Sequence, residues 1–92
     1  MLKPKLTTKF KRDVKRLQKR GFDMEKLDDV VENYLLPQKA LPPKYRDHAL
    51  TGNYKGYRDC HIEPDWLLIY RVDGDDLVLL LSETGSHADL LG

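Results

Sequence analysis

Several protein classes are closed to this sequence by what it has too little of. It contains one cysteine, Cys60. A single thiol closes no internal disulfide, so the fold does not lean on an oxidising compartment. Long apolar runs are missing too. The longest, such as Leu77 to Leu81, fall far short of the ~20 residues that cross a bilayer, and no membrane association is expected. The first residues, Met1-Leu2-Lys3-Pro4-Lys5-Leu6, carry no apolar stretch behind their charges and do not read as a secretory signal. There is no internal repeat, no low-complexity tract and no histidine pair at a ligand spacing such as H-x-x-x-H, so neither metal nor cofactor is expected. The cytoplasm is the simplest location consistent with these absences.

The 92 residues are 40% hydrophobic and 34% charged, an ordinary globular composition with room for one domain, residues 1–92. The net charge of +1 conceals a strong polarity. Residues 1–20 hold nine bases, Lys3, Lys5, Lys9, Lys11, Arg12, Lys15, Arg16, Lys19 and Arg20, against the single acid Asp13. That segment is +8, and the remaining seven bases and fourteen acids make the rest −7. A solvated helix face would explain this in part. Nine bases against one acid point further, to a polyanion that the helix residues Lys9, Lys11, Arg12, Lys15, Arg16, Lys19 and Arg20 would grip.

Apolar spacing predicts the elements. Residues 2–6 are a short candidate edge strand. Thr7 or Thr8 can cap a first helix whose apolar positions are Phe10, Val14 and Leu17, with Gly21 as its stop. Asp23 can cap a second, antiparallel helix with the face Leu27, Val30, Val31, Tyr34 and Leu35, ended by Pro37. Residues 37–56 are irregular, and so long a loop in so small a domain is more often functional than idle. Three strands follow, at about Tyr57 to Glu63, Trp66 to Val72 and Leu77 to Glu83, joined by hairpin turns at Pro64-Asp65 and Asp73-Gly74-Asp75-Asp76. Ser86 and Asp89, three apart, resemble a capping box that starts a short C-terminal helical turn. The predicted fold is α+β, two helices over one face of a small antiparallel sheet, the other face uncovered.

Pairing Glu63 with Trp66 across the first turn predicts one face carrying His61, Glu63, Trp66, Leu68 and Tyr70 and a wholly apolar face carrying Cys60, Ile62, Leu67 and Ile69. The apolar set belongs under the helices. Pairing Val72 with Leu77 would set Glu83 beside Trp66 and leave Arg71 on the helix side. Three histidines, His48, His61 and His87, then compete for attention. An imidazole both takes and gives a proton near neutral pH, and RNA cleavage through the 2′-hydroxyl needs a base for that hydroxyl, an acid for the departing 5′-oxygen and a donor for the phosphoryl charge. Taken singly, each has a commoner explanation: a lone histidine is usually a surface or satisfied residue, His87 can simply flank a cap, and Trp66 is compatible with a core.

Three blocks of local sequence decide between these readings: Asp47-His48-Ala49-Leu50-Thr51-Gly52, then Tyr54-Lys55-Gly56-Tyr57-Arg58-Asp59-Cys60-His61-Ile62-Glu63-Pro64-Asp65-Trp66-Leu67-Leu68-Ile69-Tyr70, then Thr84-Gly85-Ser86-His87-Ala88-Asp89-Leu90. In this order they closely resemble the YafQ branch of the RelE/ParE toxins, and the resemblance runs over nearly the whole chain. It implies a RelE-like microbial RNase fold and a type II toxin: a ribosome-dependent endoribonuclease that cleaves mRNA by metal-independent acid–base catalysis. It also implies a cognate antitoxin, DinJ-like or similar, with the ribosome and mRNA as the other partners. By position, His48, His61, Asp65 and His87 match the catalytic set, with His87 as general acid and the other three sharing base, orienting and charge-stabilising work. Trp66 matches a residue that shapes the site, and base stacking is a sensible role for it.

Two departures from the family pattern bear on activity. Glu83 stands where relatives commonly carry arginine, and its charge would repel the scissile phosphate; Arg58 or Arg71 are candidates to replace the missing cation. Leu91 stands where the pattern has phenylalanine and cannot stack on a base. Glu83 therefore keeps a second reading open, a catalytically weakened relative that binds the ribosome or an antitoxin. A gyrase poison on the same fold is a third, and the histidine trio argues against it.

Overall fold

A computed structural model describes residues 1–90 of the chain; Leu91, one of the expected substrate contacts, lies outside them. The chain runs β1 (Lys3–Leu6), α1 (Thr8–Lys19), α2 (Met24–Val30), β2 (His48–Ala49), β3 (Arg58–Glu63), β4 (Trp66–Asp73), β5 (Val78–Gly85) and α3 (His87–Leu90). Local chemistry explains the boundaries. Thr7 caps α1 by accepting from the Phe10 backbone N–H, and Gly21 ends the segment in the left-handed region at φ +84°. Asp23 caps α2 by accepting from the Glu25 N–H. This helix continues into a π-turn over Val31–Leu35, closed by a 2.8 Å bond from the Leu36 N–H to the Val31 carbonyl, before Pro37 stops it. No helix among the described residues is long and apolar enough to cross a membrane.

The five strands form one sheet in the order β1-β5-β4-β3-β2. Expectation and structure differ at the edge: β1 lies parallel to β5, so the sheet is mixed, although its other three ladders are antiparallel. The crossover from β1 to β5 takes in α1, α2 and the other three strands, and β1 is held at both ends, by the Leu2 N–H on the Leu36 carbonyl and the Thr7 N–H on the Leu81 carbonyl. The core lies between the sheet and the helices. Phe10, Leu17, Leu27 and Val30 meet Cys60, Ile62, Trp66, Leu68, Tyr70, Leu79 and Leu81.

That list corrects the predicted faces of β4. Glu63 does pair with Trp66, but a bulge at Ile62 shifts the ladder by one, so His61 opposes Leu67 and Cys60 opposes Leu68. An inserted residue of this kind exchanges the faces presented by the facing strand. Trp66, Leu68 and Tyr70 therefore go beneath the helices, while Leu67, Ile69 and Arg71 share the other face with His61. A second shift, at Ser82, sets Ile69 opposite Glu83 and Tyr70 opposite Leu81. Glu83 thus stands beside Ile69 rather than Trp66.

Candidate active site

The sheet face away from α1 and α2 carries the reactive groups. On β3, Asp59 and His61 stand two residues apart and so point the same way. Asp59 pairs across the ladder with His48 on β2. The β3–β4 turn brings Asp65 against the start of α3, and there the C-terminal cap forms as the sequence predicts. The Ser86 N–H donates to Asp89 Oδ2 at 2.9 Å and the Asp89 N–H donates to Ser86 Oγ at 3.1 Å. This reciprocal pair fixes the direction in which His87 leaves the chain.

His61 and His87 face each other edge-on, their ring centroids 5.5 Å apart. Each imidazole is oriented through Nδ1. In His87, Nδ1 lies 2.6 Å from Asp65 Oδ1, which also accepts from the His87 backbone N–H at 2.9 Å. Those two bonds, the backbone one foremost, hold the Asp65 carboxyl below the usual range. His61 Nδ1 lies 3.3 Å from the Pro64 carbonyl, and His48 Nδ1 lies 2.8 Å from the Arg46 carbonyl. A carbonyl oxygen only accepts, so in both rings Nδ1 carries a hydrogen and Nε2 is the nitrogen turned away from that bond. His48, His61 and His87 thus lie on one surface with Asp65, and among the described residues the three imidazole Nε2 atoms have no hydrogen-bond partner.

Asp59 belongs to this group and was not singled out from the sequence. It is buried, and among the described residues its Oδ1 has no hydrogen-bond partner, although His48 Nδ1 is 3.2 Å away; that ring hydrogen is directed at Arg46. Burial pushes the Asp59 carboxyl up, and the imidazoles of His48, His61 and His87 pull it back toward the charged form. The i, i+2 spacing of Asp59 and His61 on a predicted strand is the signal that would have found it.

The face is less open than expected. Tyr54, from the irregular segment, reaches across β4 and donates its hydroxyl to Glu83 Oε2 at 3.0 Å. That bond, before burial, raises the Tyr54 phenol above its ordinary value. Leu67 and Ile69, on the same face, are each 1% exposed. Glu83 also lies 3.9 Å from Lys9 Nζ. Its charge is thus partly met inside the molecule.

The other expected site residues are placed elsewhere. Trp66 is 1% exposed, stands edge-to-face with Phe22 and donates its indole N–H to Thr84 Oγ1 at 2.9 Å. It is a core residue and offers no face to a base. The Arg58 guanidinium is bound to Asp47 Oδ2 at 2.9 and 3.3 Å, and Tyr70 donates to the same carboxylate, so Arg58 braces the irregular segment on the helix side. Arg71 stacks over Tyr57. On α1, Lys9 and Arg16 clasp the buried Asp13, and Arg16 and Arg20 hold Asp89. Lys11, Arg12, Lys15 and Lys19 remain exposed and have no ion pair among the described residues. Those residues also hold no grouping of three His, Cys, Asp or Glu side chains that would bind a metal.

Residues 2–92 match a family model described as the bacterial toxin of type II toxin–antitoxin systems, YafQ. The mRNA interferase toxin YafQ of Escherichia coli K12 is 46% identical over 83 residues, which cover 90% of this chain and 88% of that protein. Among solved structures, the E. coli DinJ–YafQ complex aligns at TM-score 0.89 and 41% identity, covering 100% of each chain. A metal-bound toxin from Helicobacter pylori aligns at TM-score 0.92 and 43% identity, covering 99% of this chain and 100% of that one.

Proposed function

The chain belongs to the YafQ family of bacterial toxins of type II toxin–antitoxin systems, and on that footing we propose how it works: as an mRNA interferase that cuts ribosome-bound message by histidine acid–base catalysis. The endoribonuclease activity and a cognate antitoxin follow from family membership. Dependence on the ribosome, a cytoplasmic site of action and the division of labour among side chains are our own reading.

One observation carries it: two imidazoles 5.5 Å apart at their centroids, one of them held through Nδ1 by a carboxylate. A base at His61 or His48 takes the 2′-hydroxyl proton through Nε2. The 2′-oxygen attacks the adjacent phosphorus and the bond to the 5′-oxygen breaks. His87, its Nδ1 hydrogen committed to Asp65, gives the proton on Nε2 to that leaving oxygen. The nucleophile belongs to the substrate, so these residues have only to move protons and orient one phosphodiester. The free bases of α1, Lys11, Arg12, Lys15 and Lys19, would meet ribosomal RNA phosphates, with an affinity that falls steeply in salt. An apolar groove between the helices and β1, lined by Leu6, Phe10, Val14, Met24 and Leu81 and edged by Lys11 and Lys15, suits an acidic, amphipathic antitoxin segment.

Glu83 favours a second reading, a weakened relative that occupies the ribosome without cutting. Its contacts with Tyr54 and Lys9 argue for catalysis by muting the charge. Cleavage-site mapping on one message, with and without ribosomes, tests both. The nuclease reading expects discrete cuts with ribosomes present, and Glu83→Arg changing their rate without creating activity from none. An uncut message with wild-type protein, gained cutting in Glu83→Arg, or equal cutting of free RNA would overturn it.

A further inference from the structure

The candidate site holds three carboxyls, Asp59, Asp65 and Glu83, and the phosphoryl group in flight needs a cation. Most arginines near the site are already committed: Arg16 and Arg20 to Asp89, Arg58 to Asp47, Arg71 to the Tyr57 ring. Arg46 is not. Its side chain is exposed, and among the described residues its guanidinium has no ion pair. It lines a cleft of about 510 Å³ together with Lys26, Lys44 and His61 and the carboxylates of Asp29 and Glu63. Within that cleft Lys26 is tied to Glu63 at 3.4 Å and Lys44 rests over Tyr45. Arg46 is thus the free guanidinium on the same cleft as a reacting imidazole.

Its backbone is unusual as well. Arg46 has φ +50° and ψ +40°, in the left-handed region that favours glycine or asparagine. In that conformation its carbonyl accepts from His48 Nδ1 at 2.8 Å. Gln38 and Leu77 also adopt positive φ, so this conformation assigns no use to the Arg46 side chain; what it does is aim the Arg46 carbonyl at His48.

We propose that this cleft is a subsite for a backbone phosphate of the message flanking the one that is cut, with Arg46 as a positioning residue. Its carbonyl fixes the His48 ring and its guanidinium grips the flanking phosphate, which sets the reacting phosphodiester over His61 and His87. Arginine suits the task because its planar fork meets two phosphate oxygens at once. The proposal rests on the nuclease reading above, and binding can be measured apart from cleavage.

The probe is a short single-stranded RNA carrying one 2′-deoxy nucleotide at the cut position, which the protein cannot cleave. Its affinity for the isolated protein is measured across a salt series for wild type, Arg46→Gly and Arg46→Lys. Glycine keeps the left-handed turn and the carbonyl, and a retained His48 Nδ1 proton signal in NMR marks that the lock survives. The expected result is roughly tenfold weaker binding in Arg46→Gly and a log–log salt slope shallower by about 0.7, one phosphate contact on a single strand. Arg46→Lys restores the slope and part of the affinity. Equal affinity and slope in wild type and Arg46→Gly would overturn the subsite. Intact binding by a wild type that leaves all-ribose, ribosome-bound message uncut would overturn the nuclease reading instead.

Discussion

A buried carboxyl with an unmet oxygen is costly, and Asp59 is the clearest case here. Burial pushes its pKa up in the folded chain. Unfolded chains release that proton near the ordinary value of 3.8, so stability falls as pH rises from there through the folded value and stays lower above it. Asp59→Asn removes the charge while keeping the shape. It should raise stability at neutral pH by about 1 kcal/mol, the scale of one unmet buried polar atom, with the gain vanishing below about pH 4. Cleavage should slow about tenfold, because the imidazoles lose the charge they face. Urea melts at pH 3.5 and pH 7 and a cleavage time course check both halves; an Asn variant less stable at pH 7 would refute the assignment. Asp59 is inconspicuous in the sequence because one aspartate among many becomes distinctive only where the folded strands bury it against His48. The histidines themselves were legible, each standing in a block whose order is distinctive.

At the scale of elements, helix starts and stops were readable because a cap is a local event: Thr7, Asp23 and the Ser86–Asp89 pair act on neighbours a few positions away. Strand faces were not. The bulge at Ile62 leaves alternation intact on either side, and β4 reads Trp-Leu-Leu-Ile-Tyr, apolar on both faces, so nothing in its pattern reveals a one-residue shift. The parallel pairing of β1 was likewise hidden, since four residues carry no mark of direction. The α3 cap has a pH signature. Asp89 is lowered to about 2, first by the Ser86 backbone N–H and then by Arg20. A depressed carboxyl contributes stability above its unfolded value of 3.8 and loses it as pH falls through about 2. Wild type should therefore lose the ordering of α3 between about pH 4 and pH 2. Asp89→Asn should already lack most of that order at neutral pH. Amide exchange at Leu90, whose N–H bonds the Ser86 carbonyl, reports this directly; equal protection in both proteins at pH 7 would count against it.

The whole molecule divides its labour by face. The helix side carries the core, in which Trp66, Tyr70 and Asp13 are consumed by packing and internal bonds. The opposite face carries the imidazoles, and the irregular segment, braced by Arg58 on Asp47 and by Tyr54 on Glu83, reaches over it. The excess of positive charge near the N-terminus is only partly available to a polyanion, because Lys9, Arg16 and Arg20 hold the fold together. Composition alone could not separate those bases from the four on α1, Lys11, Arg12, Lys15 and Lys19, that have no ion pair among the described residues.

Acid–base cleavage requires protons to pass between these imidazoles and one phosphodiester. Single-turnover cleavage of ribosome-bound message across pH 5 to 9 tests it most directly. Wild type should give a bell-shaped profile. His87→Ala, with its melting midpoint little changed, should lose at least about a hundredfold in maximal rate together with the descending limb at high pH. A His87→Ala protein that cuts at the original rate with the original profile would contradict the account.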